Sequence, residues 1–266
     1  MKKADKPTAV ITGASTGIGF ELAKQFALNG HDIVIVSSSD RIKDAAQELR
    51  SIGSNVFDYK YDLARKGEIE KFYDDVRSLG KDIKIIALNA GVGLGGAFRE
   101  NSIDDEVNLI NLNVVSTVYL TKLFLNGFLE NSGKILFTSS IVSDMPAPYS
   151  SIYGASKAFI QSFANALREE LKETDITITT LMPGATNTNF FARAGLLDTK
   201  VGAEGRFENE PEEVAKQGYE ALMSGMNEVF AASTKTKIEG VINKFLPERV
   251  KAIMHKKQAE PGSAHH

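Results

Sequence analysis

Two hydropathy periods alternate along this chain. Short apolar runs, TAVIT (8–12), DIVIVS (32–37), NVFDYKY (55–61), IKIIALN (83–89), GKILFTS (133–139), TITTLM (177–182) and NEVFA (227–231), have the length of strands. Several are nearly continuous in apolar character, which predicts strands covered on both faces. Between them, apolar positions return every three to four residues. Ile18, Leu22 and Phe26 share one helical face, and Asn29-Gly30 offers a left-handed stop. Asp40 reads as the N-cap of the next helix, RIKDAAQELRSIG, which stops at Gly53. Repeated strand–helix units predict an α/β fold, a doubly wound parallel sheet of about seven strands with right-handed crossovers. No linker interrupts the pattern, so residues 1–258 read as a single domain with a helical extension over about 233–257. The one long irregular stretch, 184–210, is the length of a functional lid.

Composition narrows the classes. A net charge of -3 with no basic block gives no electrostatic footprint for nucleic acid. The chain has no cysteine, which excludes disulfides and thiol nucleophiles and fits the cytoplasm. The apolar run after Pro7 is too short for a signal-peptide core, and no stretch approaches the 18 or so apolar residues of a membrane span. His31 and His255 are isolated from other ligand types, so no metal site is expected. AEPGSAHH, residues 259–266, reads as a linker and tag remnant.

Chemistry concentrates in two places. Gly13, Gly17 and Gly19, with Ser15, Thr16 and Ile18 between them, join the first strand to the first helix. Glycines there allow a tight turn and let backbone amides at a helix N-terminus approach a pyrophosphate, as in Rossmann-like folds. In YSSIYGASK, Tyr153 and Lys157 stand four apart and share a helical face. A nearby ammonium stabilises a phenolate, the form a phenol needs to act as a base near neutral pH. Tyr61 with Arg65 and Tyr73 with Arg77 have the same spacing but lack such surroundings; Tyr149 has no basic partner and reads as pocket wall.

TGASTGIG resembles the cofactor motif of the short-chain dehydrogenase/reductase family, in its single-domain branch, and further motifs follow in order to about residue 232. Asp62, followed by Leu63 after the third strand, matches the family's acidic residue that contacts adenine. LNAG (88–91) is similar to N-N-A-G, with Leu88 departing and Asn89, Ala90 and Gly91 kept for strand anchoring and adenosine contact. The resemblance implies that Asn113 holds a water in a proton relay, that Ser140 (thirteen residues before the tyrosine, in preference to Ser139) orients the substrate oxygen, that Tyr153 is the acid/base, and that Lys157 bonds the nicotinamide ribose. Pro183, Gly184 and Thr188 match P-G-x-x-x-T, whose threonine bonds the carboxamide.

The implied activity is NAD(P)-dependent interconversion of a carbonyl and a hydroxyl. The alternatives are a catalytically silent NAD(P)-binding sensor, or an epimerase or dehydratase of the same superfamily. At the end of the second strand, Ser37, Ser38 and Ser39 offer hydroxyls, Arg41 offers a cation, and no acidic side chain opposes a 2′-phosphate. NADP(H) is therefore expected over NAD(H). The substrate is a small-molecule ketone, aldehyde or alcohol, walled by 91–98, 141–149 and a lid containing Phe190, Phe191, Leu196, Leu197 and Phe207. Beyond the last strand, Ile238, Val241, Ile242, Phe245 and Leu246, then Val250, Ile253 and Met254, form an apolar stripe. It is read as packing on the core or a second subunit rather than on a membrane surface. The resemblance also implies a homodimer or homotetramer through helices starting near 103 and 151.

Overall fold

A computed structural model describes residues 6–130, 132–203, 209–231 and 246–265. Seven strands, β1 (Thr8–Thr12), β2 (Asp32–Ser37), β3 (Val56–Lys60), β4 (Ile83–Leu88), β5 (Ser132–Thr138), β6 (Asp175–Pro183) and β7 (Glu228–Ala231), form one parallel sheet in the order β3-β2-β1-β4-β5-β6-β7. Every strand expected from hydropathy is present, with ends displaced by a residue or two. Helices α1 (Gly17–Leu28), α2 (Ile42–Ser51) and α6 (Pro211–Met223) cover one face. Helices α3 (Lys66–Ser78), α4 (Ile103–Leu129) and α5 (Ser151–Glu170) cover the other.

This double cover explains the unbroken apolar runs. In β2, Ile33 and Ile35 enter the core with Leu22, Phe26 and Leu49, while Val34 and Val36 enter the opposite core with Phe72 and Val76. Strand order reverses between β1 and β4, so the chain crosses to opposite faces there. A crevice opens at the carboxyl ends of the strands.

Two helix ends separate expectation from outcome. At α1 the Gly30 N–H donates to Ala27 O and the His31 N–H to Phe26 O, with Gly30 at φ +83°, the left-handed stop expected from Asn29-Gly30. Asp40, by contrast, does not cap α2. Arg41 occupies that position with no side-chain cap, and the exposed Asp40 carboxylate accepts from Lys60 at 2.7 Å. A cation on the neighbouring strand outcompetes the local amides for it.

By length and composition α4 could cross a bilayer, yet Leu109, Leu120, Phe124 and Leu129 are buried in the protein. The first of its two π-helical turns, Asn111–Val115, holds the buried Asn113; such single-turn bulges frequently accompany functional sites.

The C-terminal helix α7 (Glu248–Ala259) sits the opposite way to its apolar stripe. Val250, Ile253 and Met254 are exposed, whereas Lys251 is 5% exposed, its ammonium donating to Asp144 O at 2.8 Å. A long lysine stem with an acceptor at its tip can be buried in place of an aliphatic side chain. Ile238, Val241, Ile242 and Phe245 of that stripe, and Phe207 of the lid, lie outside the described residues.

Candidate active site

A cleft of about 330 Å³ runs along the carboxyl edge of the sheet. Its first part is built from the β1–α1 turn. Gly13 has φ +68°, and a Cβ there would stand 2.8 Å from Ala90 Cα. At Gly19 a Cβ would collide with the Gly13 carbonyl and the Asn89 amide. Both positions therefore need glycine for close approach. Ser15, Thr16, Gly17 and Ile18 complete this wall, and no side chain caps the start of α1. Its first amides are thus available to an anion.

Asn89 ties the neighbouring strands together. Its side-chain N–H donates to Thr12 O at 3.3 Å, and its side-chain oxygen accepts from the Thr138 hydroxyl at 3.2 Å. The Thr12 hydroxyl in turn accepts from the Asn89 and Ala90 amides at 3.0 and 2.9 Å. This holds Ala90 and Gly91 on the cleft wall.

At the end of β2, Ser37 and Ser38 line the cleft, with the Ser37 hydroxyl donating to Ser15 at 3.0 Å. Asp62 and Leu63 line it beside Tyr61, and the Asp62 carboxylate accepts from the Ala64 N–H at 3.1 Å. Ser39 and Arg41 follow in the chain. Neither reaches the wall: Arg41 is exposed at the head of α2, and its backbone N–H donates to the Ser39 hydroxyl.

The second part gathers Ser140, Tyr153 and Lys157. Ser139 and Ser140 follow the end of β5 but bond differently. The Ser139 hydroxyl donates to the Lys157 carbonyl at 3.1 Å and fastens α5 to the sheet. The Ser140 hydroxyl accepts from Val142 N–H at 3.3 Å, donates to Pro183 O at 3.5 Å and lines the cleft with the Tyr153 phenol. Burial pushes that phenol up to about 12, the Ser140 hydrogen bond opposing the shift. Burial also brings the Lys157 ammonium down to about 8. The ammonium donates to Thr138 O at 2.8 Å and lies 5.7 Å from the centre of the Tyr153 ring.

Asn113 is 2% exposed and does not reach the cleft. Its oxygen accepts from Val92 N–H, and its amide donates to Val92 O, both at 2.9 Å, and to the Ser156 hydroxyl at 3.1 Å. Its side chain thereby clamps the chain just after Gly91. A Cβ on Gly91 would meet Asn113 Oδ1 at 3.2 Å and the Lys157 ammonium at 3.5 Å.

The third part comes from the segment after β6. Pro183, Gly184 and Thr188 line its approach, with Thr188 packed against Gly17 across the cleft. Phe190 lies against the Tyr153 ring at 5.3 Å between centroids, and Phe191 and Leu196 form a small apolar cluster behind it. Ile141, Val142 and Met145 face them. Tyr149, expected as wall, lies outside the lining; held at φ +63°, it donates its hydroxyl to Glu260.

Sequence reasoning missed one wall entirely. Met254, His255, Gln258 and Ala259 of α7 close the mouth of the cleft. Residues read as linker hold that helix down: Gly262 and Ala264 N–H groups donate to Asp198, and the Ser263 hydroxyl accepts from Lys200 N–H. A polar, glycine-containing tail carries no periodic signal that would reveal such docking.

Comparison with known proteins gives this geometry a context. The family described as short chain dehydrogenase matches residues 7–196. An NADP-dependent 3-hydroxy acid dehydrogenase, YdfG, of Salmonella typhi is 30% identical over 178 residues, 66% of this chain and 71% of the relative. A solved short-chain dehydrogenase from Sphingobium yanoikuyae in complex with NADPH is 30% identical, with a TM-score of 0.75 over 84% of this chain and 87% of that one. One from Burkholderia phymatum in complex with NAD shares the fold at 22% identity, with a TM-score of 0.79 over 86% of this chain and 90% of that one.

Proposed function

This chain belongs to the short chain dehydrogenase family and is an oxidoreductase, and we propose that it interconverts a ketone or aldehyde and the matching alcohol with Tyr153 as proton donor and acceptor. One observation carries this reading. Ser140, Tyr153 and Lys157 converge in the same cleft as the glycine loop, at the strand edge where this fold takes ligands. The glycine turn, the uncapped start of α1 and the anchored Ala90-Gly91 segment suit a dinucleotide, which when bound supplies or takes the hydride.

The chain itself manages the proton and the orientation. With its pKa near 12 the Tyr153 phenol is protonated at neutral pH and can donate as a carbonyl oxygen becomes an alkoxide. In the reverse direction the Lys157 ammonium, still largely protonated at pH 7, stabilises the phenolate. Ser140 hydrogen-bonds the reacting oxygen and holds it beside the phenol.

NADP(H) is proposed over NAD(H). Ser37 and Ser38 face the cleft where an acid would exclude a 2′-phosphate, and the Salmonella and Sphingobium proteins carry NADP in their names or crystals. Exposed Ile103, Val107 and Ile110 on α4 and Phe159 on α5 suit pairing with a second copy, and we propose a homodimer or homotetramer.

Tyr153→Phe is the test. Reduced-nicotinamide consumption over a panel of ketones and aldehydes is expected to fall by about 10²–10⁴-fold, with NADPH affinity essentially kept. Turnover within about threefold of wild type would sink the assignment. NADPH binding by a wild-type protein that reduces no carbonyl in the panel would favour the sensor reading, and NADH binding tenfold tighter than NADPH would reverse the cofactor preference.

A further inference from the structure

The lid end of the cleft is mostly apolar, lined by Met145, Phe190, Phe191 and Leu196. Into it α7 brings two polar side chains three residues apart, His255 and Gln258. The matched family segment ends at residue 196, so this wall belongs to the chain's own C-terminal segment.

His255 is held in a defined state. Its Nδ1 lies 3.1 Å from the carbonyl oxygen of Pro148. A carbonyl only accepts, so Nδ1 carries the proton and orients the ring. Burial keeps the ring pKa below its ordinary value and so favours the neutral form at pH 7. In that form Nε2 is a bare acceptor, and it has no hydrogen-bond partner among the described residues. The ring's position is fixed from both sides of Pro148, by Lys251 on Asp144 O and by Glu260 on the Tyr149 hydroxyl. A rigid acceptor in an apolar pocket discriminates between ligands that can satisfy it and ligands that leave it dry.

We propose that His255 is a specificity-determining residue whose Nε2 accepts a hydrogen bond from a hydroxyl or amide N–H that the substrate carries away from its reacting carbon. The substrate class is therefore a carbonyl compound with an apolar middle and a neutral donor at its far end. This rests on the carbonyl-reducing reading of the Ser140–Tyr153 end.

The experiment uses methyl ketones of increasing chain length, each as a hydroxyl-ended and a methyl-ended partner. Their affinities are measured by calorimetry with NADP⁺ present, so that the ketone is held without turnover. Wild type is expected to prefer the hydroxyl-ended partner by about three- to tenfold at one chain length, the range of a single neutral hydrogen bond. In His255→Asn, whose amide can still donate to Pro148 O but lacks the second nitrogen, the ratio is expected to fall to about one with the melting temperature unchanged. In His255→Gln, whose amide extends toward the Nε2 position, part of the preference should return. No preference at any length in wild type, or a preference that survives in His255→Asn, overturns the proposal. Turnover of the same ketones with NADPH is read separately. Preference without turnover counts against carbonyl reduction and leaves the His255 assignment standing.

Discussion

Replacing Asn113 by alanine removes the clamp on the segment after β4. The side chain makes two hydrogen bonds to the Val92 backbone and one to Ser156. Alanine leaves the Val92 N–H and C=O without partners in a part-buried site. Each unsatisfied group there costs about 1–3 kcal/mol. Because Val92 is only half-buried and water can recover part of that loss, the sum is about 2–4 kcal/mol. For a domain of this size each kcal/mol lowers the melting temperature by about 2–4 °C, which gives a drop of roughly 4–16 °C. The assay is thermal unfolding followed by circular dichroism, with Ser156→Ala alongside. The Ser156 hydroxyl also donates to its own helix at Tyr153 O, so its removal costs mainly one shared bond, about 0.5–1.5 kcal/mol. If Asn113→Ala melts within about 1 °C of wild type, or Ser156→Ala costs as much, the clamp is not what Asn113 contributes. Turnover should fall in Asn113→Ala as well, because Gly91 and the Lys157 ammonium stand against the clamped segment.

Gly19→Ala should weaken NADPH binding at least tenfold, measured by fluorescence titration, because its Cβ displaces the Gly13 carbonyl and the Asn89 amide; unchanged affinity would refute the cradle. Burial lowers the Lys157 pKa to about 8, so between pH 8 and about 10 the unfolded chain binds the extra proton and wild-type stability rises with pH; above about 10 Tyr153, raised to about 12, reverses the sign. Denaturant unfolding of Lys157→Met should lack the first rise, worth about 1.4 kcal/mol per unit of pH, and an identical pH profile would count against it. Lys251→Met removes the ammonium that binds Asp144 O and should speed hydrogen exchange across 248–259 while leaving the sheet protected; equal exchange there would show that α7 is held by other contacts.

The sheet was legible because its strands are buried on both faces and so carry unbroken apolar runs, as in Ile33–Val36. The glycine loop was legible because the close approaches at Gly13 and Gly19 admit no side chain. Asp40 misled because helix capping is a local preference, and Lys60 on the adjacent strand competes for the same carboxylate.

Sequence by itself determined the alternation of strands and helices, the glycine turn and the four-residue spacing of Tyr153 and Lys157, all properties of neighbours along one chain. Tertiary structure alone decided that the Ser139 hydroxyl is spent on the Lys157 carbonyl, that Asn113 spends its amide on Val92, and that α7 turns Lys251 inward and His255 toward the cleft. Those outcomes depend on acceptors supplied by distant segments: the carbonyls of Val92, Asp144 and Pro148 are partly withdrawn from water, and the fold brings Asn113, Lys251 and His255 within reach of them.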